Sequence, residues 1–108
     1  MASRIEQLLE FVSEDPSDPF ALYALALEYQ KTDEQKALAI FSQLIQDHTA
    51  YLPTYYQLAK LYQQGGDSQK ALDVYDMGIA LALKNNDMKT MQELRAAKQE
   101  LLSDDDLN

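Results

Sequence analysis

At 108 residues the chain has room for one domain, and the roughly 65% of surface that such a length buries on folding supports a modest core. Eighteen acidic against nine basic residues give a net charge of −9, which repels phosphate backbones and anionic membranes and makes nucleic acid and lipid surfaces poor partners. The lack of cysteine removes disulfides and thiolate chemistry, and sparse Gly and Pro argue against disorder and against a turn-rich β fold.

Ser3 and Glu6 have capping-box spacing, and Ile5, Leu8, Leu9 and Val12 follow at helical period, so a first helix is expected over 4–15. Pro16 and Pro19 stop it near Glu14. Asp18 then caps a second helix with Pro19 at its first position, and Leu22, Leu25, Ala26 and Tyr29 share one face of it. Asp33 caps a third, with a wide stripe of Ala37, Leu38, Ile40, Phe41, Leu44 and Ile45. After Pro53 the pattern restarts: Tyr55, Leu58, Ala59 and Tyr62 take the offsets of the second helix, and Ala71, Leu72, Val74, Tyr75, Gly78 and Ile79 those of the third. Asp87 caps a sixth helix whose narrow stripe is Met88, Met91, Leu94, Leu101 and Leu102, and 103–108 reads as an acidic frayed tail. No basic stretch followed by an apolar run opens the chain, and no apolar window approaches about 18 residues, so neither a secretory leader nor a membrane span is expected and the protein is placed in the cytoplasm.

The repetition is literal. Leu58-Ala59-Lys60-Leu61-Tyr62 repeats Leu25-Ala26-Leu27-Glu28-Tyr29, and Lys70-Ala71-Leu72-Asp73-Val74-Tyr75 repeats Lys36-Ala37-Leu38-Ala39-Ile40-Phe41, at a period of about 33 or 34 residues. One extra residue in the turn between Tyr62 and Asp67 accounts for the difference. These residues resemble the tetratricopeptide repeat: Leu22, Leu25, Ala26, Tyr29, Ala37, Phe41 and Leu44 in the first repeat, Tyr55, Leu58, Ala59, Tyr62, Ala71, Tyr75 and Gly78 in the second. The resemblance implies an all-α fold of about six helices, a right-handed superhelical stack of antiparallel helix pairs. Its parts are a half-repeat helix at 4–15, repeats at 18–48 and 51–84, a capping helix at 87–102 and the tail at 103–108. Leu44 stands where the family usually has Ala. Gly78, inside a helix, costs about 1 kcal/mol relative to Ala, and either a close backbone contact repays that cost or the position is simply tolerant.

The resemblance also implies a function. The first helix of each pair lines a concave groove in this family, which would present Phe20, Tyr23, Leu27 and Gln30 from the second helix and Tyr56, Lys60 and Gln63 from the fourth, unless the chain's own first or sixth helix covers Leu27 and Tyr56 and closes it. Such a surface suits a peptide or helix of a partner protein, with tyrosine supplying apolar area and the glutamines supplying hydrogen bonds. Some members clamp acidic C-termini with several cations; here Lys60 is the one cation at those positions, so a basic or neutral helical partner is expected instead. The alternative is a structural homo-oligomer, possible as a homodimer, joined through the sixth helix, whose Met88, Met91, Leu94 and Leu101 resemble a short coiled-coil seam, or through the exposed end of the fifth.

Nothing points to an enzyme, a cofactor or a metal. His48 has Asp47 beside it but no nucleophile to serve. Asp104-Asp105-Asp106 lacks the spaced ligands and turn glycine of a calcium loop, and Gly65-Gly66 lacks the strand and lysine of a phosphate loop.

Overall fold

The computed structural model describes residues 2–106, with side chains described as far as Ser103. Six helices and no strands occur among them: α1 (Arg4–Glu14), α2 (Pro19–Gln30), α3 (Glu34–Asp47), α4 (Pro53–Gln64), α5 (Ser68–Lys84) and α6 (Met88–Asp106). Short polar side chains start most of them by accepting the otherwise orphaned N–H groups of the first turn. Ser3 accepts from the Glu6 N–H at 3.1 Å, Asp18 from Phe20 at 2.9 Å, Asp33 from Lys36 at 3.2 Å, Asp67 from Lys70 at 3.1 Å and Asp87 from Thr90 at 3.1 Å. The Thr90 hydroxyl also donates to Asp87 at 2.7 Å, and these bonds hold the Asp87 carboxyl below its usual range, so this cap contributes at neutral pH and is lost as pH falls through the lowered value. α6 continues to Asp106, past Leu102 where the apolar stripe ends, although acidic residues there oppose the helix dipole. Leu107 and Asn108, the last residues of the expected tail, lie outside the described residues.

The chain divides into two compact units, Met1–Thr54 and Tyr55–Asn108. In the first, α2 packs against both α1 and α3. Its sequence explains this: Phe20, Ala21, Leu22, Tyr23, Ala24, Leu25, Ala26 and Leu27 leave no polar face, and a helix apolar all round needs cover on more than one side. Leu8, Ala21, Leu25, Ala26, Ala37, Phe41 and Leu44 are buried, the larger Leu44 included. α1 contributes only Leu8 to this core; Leu9, expected on the buried stripe, is half exposed.

In the second unit α5 packs against α6, and Tyr55, Leu58, Ala59, Ala71, Val74, Tyr75, Ala82, Met91, Leu94, Ala97 and Leu101 are buried. Gly78 decides how close the helices come. A Cβ built on it would stand 2.8 Å from the Tyr55 Cβ of α4 and 3.0 Å from the Leu94 Cδ1 of α6. The glycine is therefore a contact point for both neighbours, the close approach that its cost in helix propensity required.

The extra residue of the second repeat is absorbed in a Schellman turn. The Asp67 N–H donates to the Tyr62 carbonyl at 2.9 Å and Gly66 N–H to Gln63 at 3.1 Å, with Gly66 at φ 83°. The same two bonds close α5, from Asp87 to Ala82 at 2.9 Å and from Asn86 to Leu83 at 3.1 Å, but there the left-handed position is Asn86 at φ 58°. Asparagine carries a steric cost in that region that glycine lacks. Asn86→Gly is expected to stabilise the protein by about 0.5–1 kcal/mol, read as a higher Tm in thermal unfolding, whereas Gly66→Ala destabilises by about 1–2 kcal/mol.

Candidate partner-binding faces

In the first unit the expected face on α2 begins at Phe20, which Pro19 and the Asp18 cap place in the first turn and which is 63% exposed. Tyr23 lies one turn on and is half-buried. Its ring meets Phe41 at 5.9 Å between centroids and Tyr51 edge-on at 5.5 Å, a geometry that favours aromatic pairs. Burial, then the neighbouring Tyr23 and Asp18, push the Tyr51 hydroxyl above its ordinary pKa. Leu27 and Gln30 are half-buried further along the helix. Phe20 also lines a cleft of about 250 Å³ with Arg4, Leu8, Phe11, Glu14, Asp15, Asp18 and Ala21, so α1 joins α2 in forming that surface. A second cleft, about 240 Å³, is lined by Pro19, His48, Ala50 and Tyr51. His48 is the C-cap of α3, its N–H bonded to the Leu44 carbonyl at 2.7 Å.

In the second unit Tyr56 stands at the mouth of a cleft of about 300 Å³ whose other walls are Glu93, Ala96, Ala97 and Glu100 of α6. Tyr56 is 36% exposed, and the Lys60 ammonium lies 5.8 Å from the centre of its ring. Gln63 is partly committed: its side-chain carbonyl accepts the hydroxyl of the buried Tyr75 at 3.0 Å. Burial first, then Tyr56 and Glu100, push the Tyr75 hydroxyl up to about 12. The four α6 residues were not singled out in the sequence. Their spacing of i, i+3, i+4 and i+7 puts them on one helix face, but two alanines between two glutamates read as the polar side of a cap.

The repeat-defining side chains are core. Leu25, Ala26, Ala37, Phe41, Leu58, Ala59, Ala71, Tyr75 and Gly78 are buried, while Tyr29 and Tyr62 are half-buried and each carries a lysine over its ring, Lys36 at 5.2 Å and Lys70 at 5.6 Å. The proposed coiled-coil seam is not available to a partner: Met91, Leu94 and Leu101 are buried and only Met88 is exposed. Among the described residues no group of acidic or histidine side chains is arranged to hold a metal ion, and no helix is long and apolar enough to cross a membrane. The side chains of Asp104–Asp106 lie outside the described residues.

The solution structure of a tetratricopeptide repeat domain protein from Salinibacter ruber is 41% identical to this chain, covers 81% of it and 89% of its own length, and matches with a TM-score of 0.76. The crystal structure of a tetratricopeptide repeat domain protein from Salinibacter ruber is 39% identical over 80% of this chain and 97% of its own, with a TM-score of 0.75. The chain belongs to the tetratricopeptide repeat family. A protein of Bordetella parapertussis shares the fold over 100% of this chain and 95% of its own at a TM-score of 0.85, with 21% identity. No family model matches the chain, and no curated protein does. A tetratricopeptide repeat is in general a protein-interaction module, and in this one the two repeat tyrosines, the paired alanines and Gly78 occupy the packing positions that such a repeat needs.

Proposed function

We propose that this tetratricopeptide repeat protein is a non-catalytic adaptor that binds a peptide or helix of another protein through the first-helix faces of its repeats: Phe20, Tyr23, Leu27 and Gln30 in one, Tyr56, Lys60 and Gln63 in the other. The observation that carries this reading is the Tyr56 cleft. An exposed aromatic ring stands beside alanines that leave room for a ligand, and Glu93 and Glu100 flank them. Such a cleft accepts an apolar side chain against Ala96 and Ala97 and a lysine or arginine against the glutamates. An acidic tail would meet two carboxylates and a single ammonium, which disfavours it.

The test is an affinity pull-down from native cell extract with wild type, Tyr56→Ala and Glu93→Lys/Glu100→Lys. All these positions are exposed, so circular dichroism and Tm should be unchanged. Loss of an aromatic anchor at an interface weakens binding by about tenfold or more. A specific partner that both variants retain at wild-type affinity rejects the reading.

A further inference from the structure

Two exposed apolar spots fall outside the Tyr56 cleft, and their charges are opposite. The first is the cleft between α1 and α2 of the first unit. Phe11 and Phe20, 52% and 63% exposed, line it over Leu8 and Ala21. Glu14, Asp15 and Asp18 put three carboxylates there against the single guanidinium of Arg4, although Asp18 also caps α2 and Asp15 accepts from the Ser17 hydroxyl at 2.7 Å, so each offers its second oxygen. The second spot is the turn from α5 to α6. Leu83 and Met88, each 49% exposed, flank that tight Schellman turn with Lys84 and Lys89 beside them in sequence. The one acidic residue of that turn, Asp87, is engaged in capping α6 through Thr90. Lys84 and Lys89 make no ion pair or ring contact with a described residue, whereas Lys31, Lys36, Lys60, Lys70 and Lys98 all do; the Lys89 charge is felt only weakly, after the Thr90 hydrogen bonds, as the last of the causes that lower the Asp87 pKa.

We propose that the α5–α6 turn of one copy docks into the α1–α2 cleft of a second, so that the protein self-associates head to tail. The complementarity has two parts. Leu83 and Met88 replace water against the two phenylalanine rings, and the lysines meet Glu14, Asp15 and Asp18, with a phenylalanine face also able to receive an ammonium. A contact of two different patches is heterologous and leaves one cleft and one turn unoccupied, so it extends to further copies unless a ring closes. Repulsion between copies of net charge −9 keeps the association weak, in the range where concentration sets the mass. The cleft shares Phe20 with the partner-binding face of the first repeat, but the substitutions below leave Phe20 and the Tyr56 cleft intact, so the two proposals fail independently.

Sedimentation velocity tests it, using wild type, a cleft variant Phe11→Gln/Glu14→Lys and a turn variant Met88→Gln/Lys89→Glu. All four positions are exposed and the substitutes suit helices, and unchanged circular dichroism verifies the fold. Wild type is expected to gain mass from micromolar to millimolar concentration. Each variant alone should need at least about tenfold more protein to associate. Mixed together, the two variants retain one intact cleft and one intact turn between them, and should form a one-to-one dimer and nothing larger. A wild type that stays monomeric overturns the proposal, and so does association that either variant leaves unchanged or a mixture that remains monomeric. A monomeric wild type whose cleft binds a short lysine–leucine peptide would assign the cleft to a foreign basic partner instead.

Discussion

Gly78→Ala is expected to destabilise the protein by about 1–3 kcal/mol, although alanine is the better helix former by about 1 kcal/mol. The sign follows from the atoms the new methyl would meet. Leu94 Cδ1, at 3.0 Å, is the end of a flexible side chain and can rotate away. Tyr55 Cβ, at 2.8 Å, cannot, because it is fixed to the backbone of α4. Accommodation therefore separates α4 from α5 and loosens a core that contains Tyr55, Tyr75 and Leu94. Thermal or urea unfolding measures the effect. A control distinguishes the two contacts: adding Leu94→Ala to Gly78→Ala should lower stability further by opening a cavity, since the harder clash persists. An unchanged or raised Tm for Gly78→Ala would mean that the helices have room to spare.

Alkaline unfolding is the second large effect. Tyr75 is fully buried, and its hydroxyl proton is held in the bond to Gln63. Its pKa lies at about 12 in the folded chain against 10.0 for an ordinary tyrosine. Folding thus favours the protonated phenol. The corresponding stability is fully present below pH 10, and it declines as pH rises through about 12, by on the order of 2 kcal/mol. Tyr55 and Tyr51 are raised by burial as well and act in the same direction. Tyr75→Phe should cost about 1 kcal/mol at neutral pH through the lost hydrogen bond, yet show a shallower fall in stability across the alkaline range. The two stability–pH curves should converge above pH 10. Parallel curves would show that Tyr75 does not govern the alkaline transition.

Much of the fold was legible because the packing residues recur in register. Pro16 and Pro19 end α1 at Glu14 and start α2, and Asp18, Asp33 and Asp87 mark caps where the sequence offered no competing signal, whereas the cap at Asp67 was read only as part of a turn. Gly78 was readable only as a choice between close contact and tolerance, since which helices touch it depends on tertiary packing. Leu9 was misplaced because a period-based stripe ranks positions by angle, whereas α1 leaves one flank of its stripe uncovered. The site was less legible. Tyr56 and Lys60 came from the family's register, but the residues opposite them, Glu93, Ala96, Ala97 and Glu100, carry no hydrophobic signal and become a site only by facing an aromatic ring. Phe11 escaped for the related reason that an aromatic off the apolar stripe looks like surface until Phe20 lines the same cleft.

The most direct measurement of the binding role is an NMR titration of the labelled protein with two synthetic helical peptides of equal length, one rich in leucine and arginine, the other in leucine and glutamate. The basic peptide should give saturable shifts at Tyr56, Ala96, Ala97 and Glu100, and Tyr56→Ala should abolish them. Equal binding of the acidic peptide, or shifts that bypass these four residues, would contradict the account.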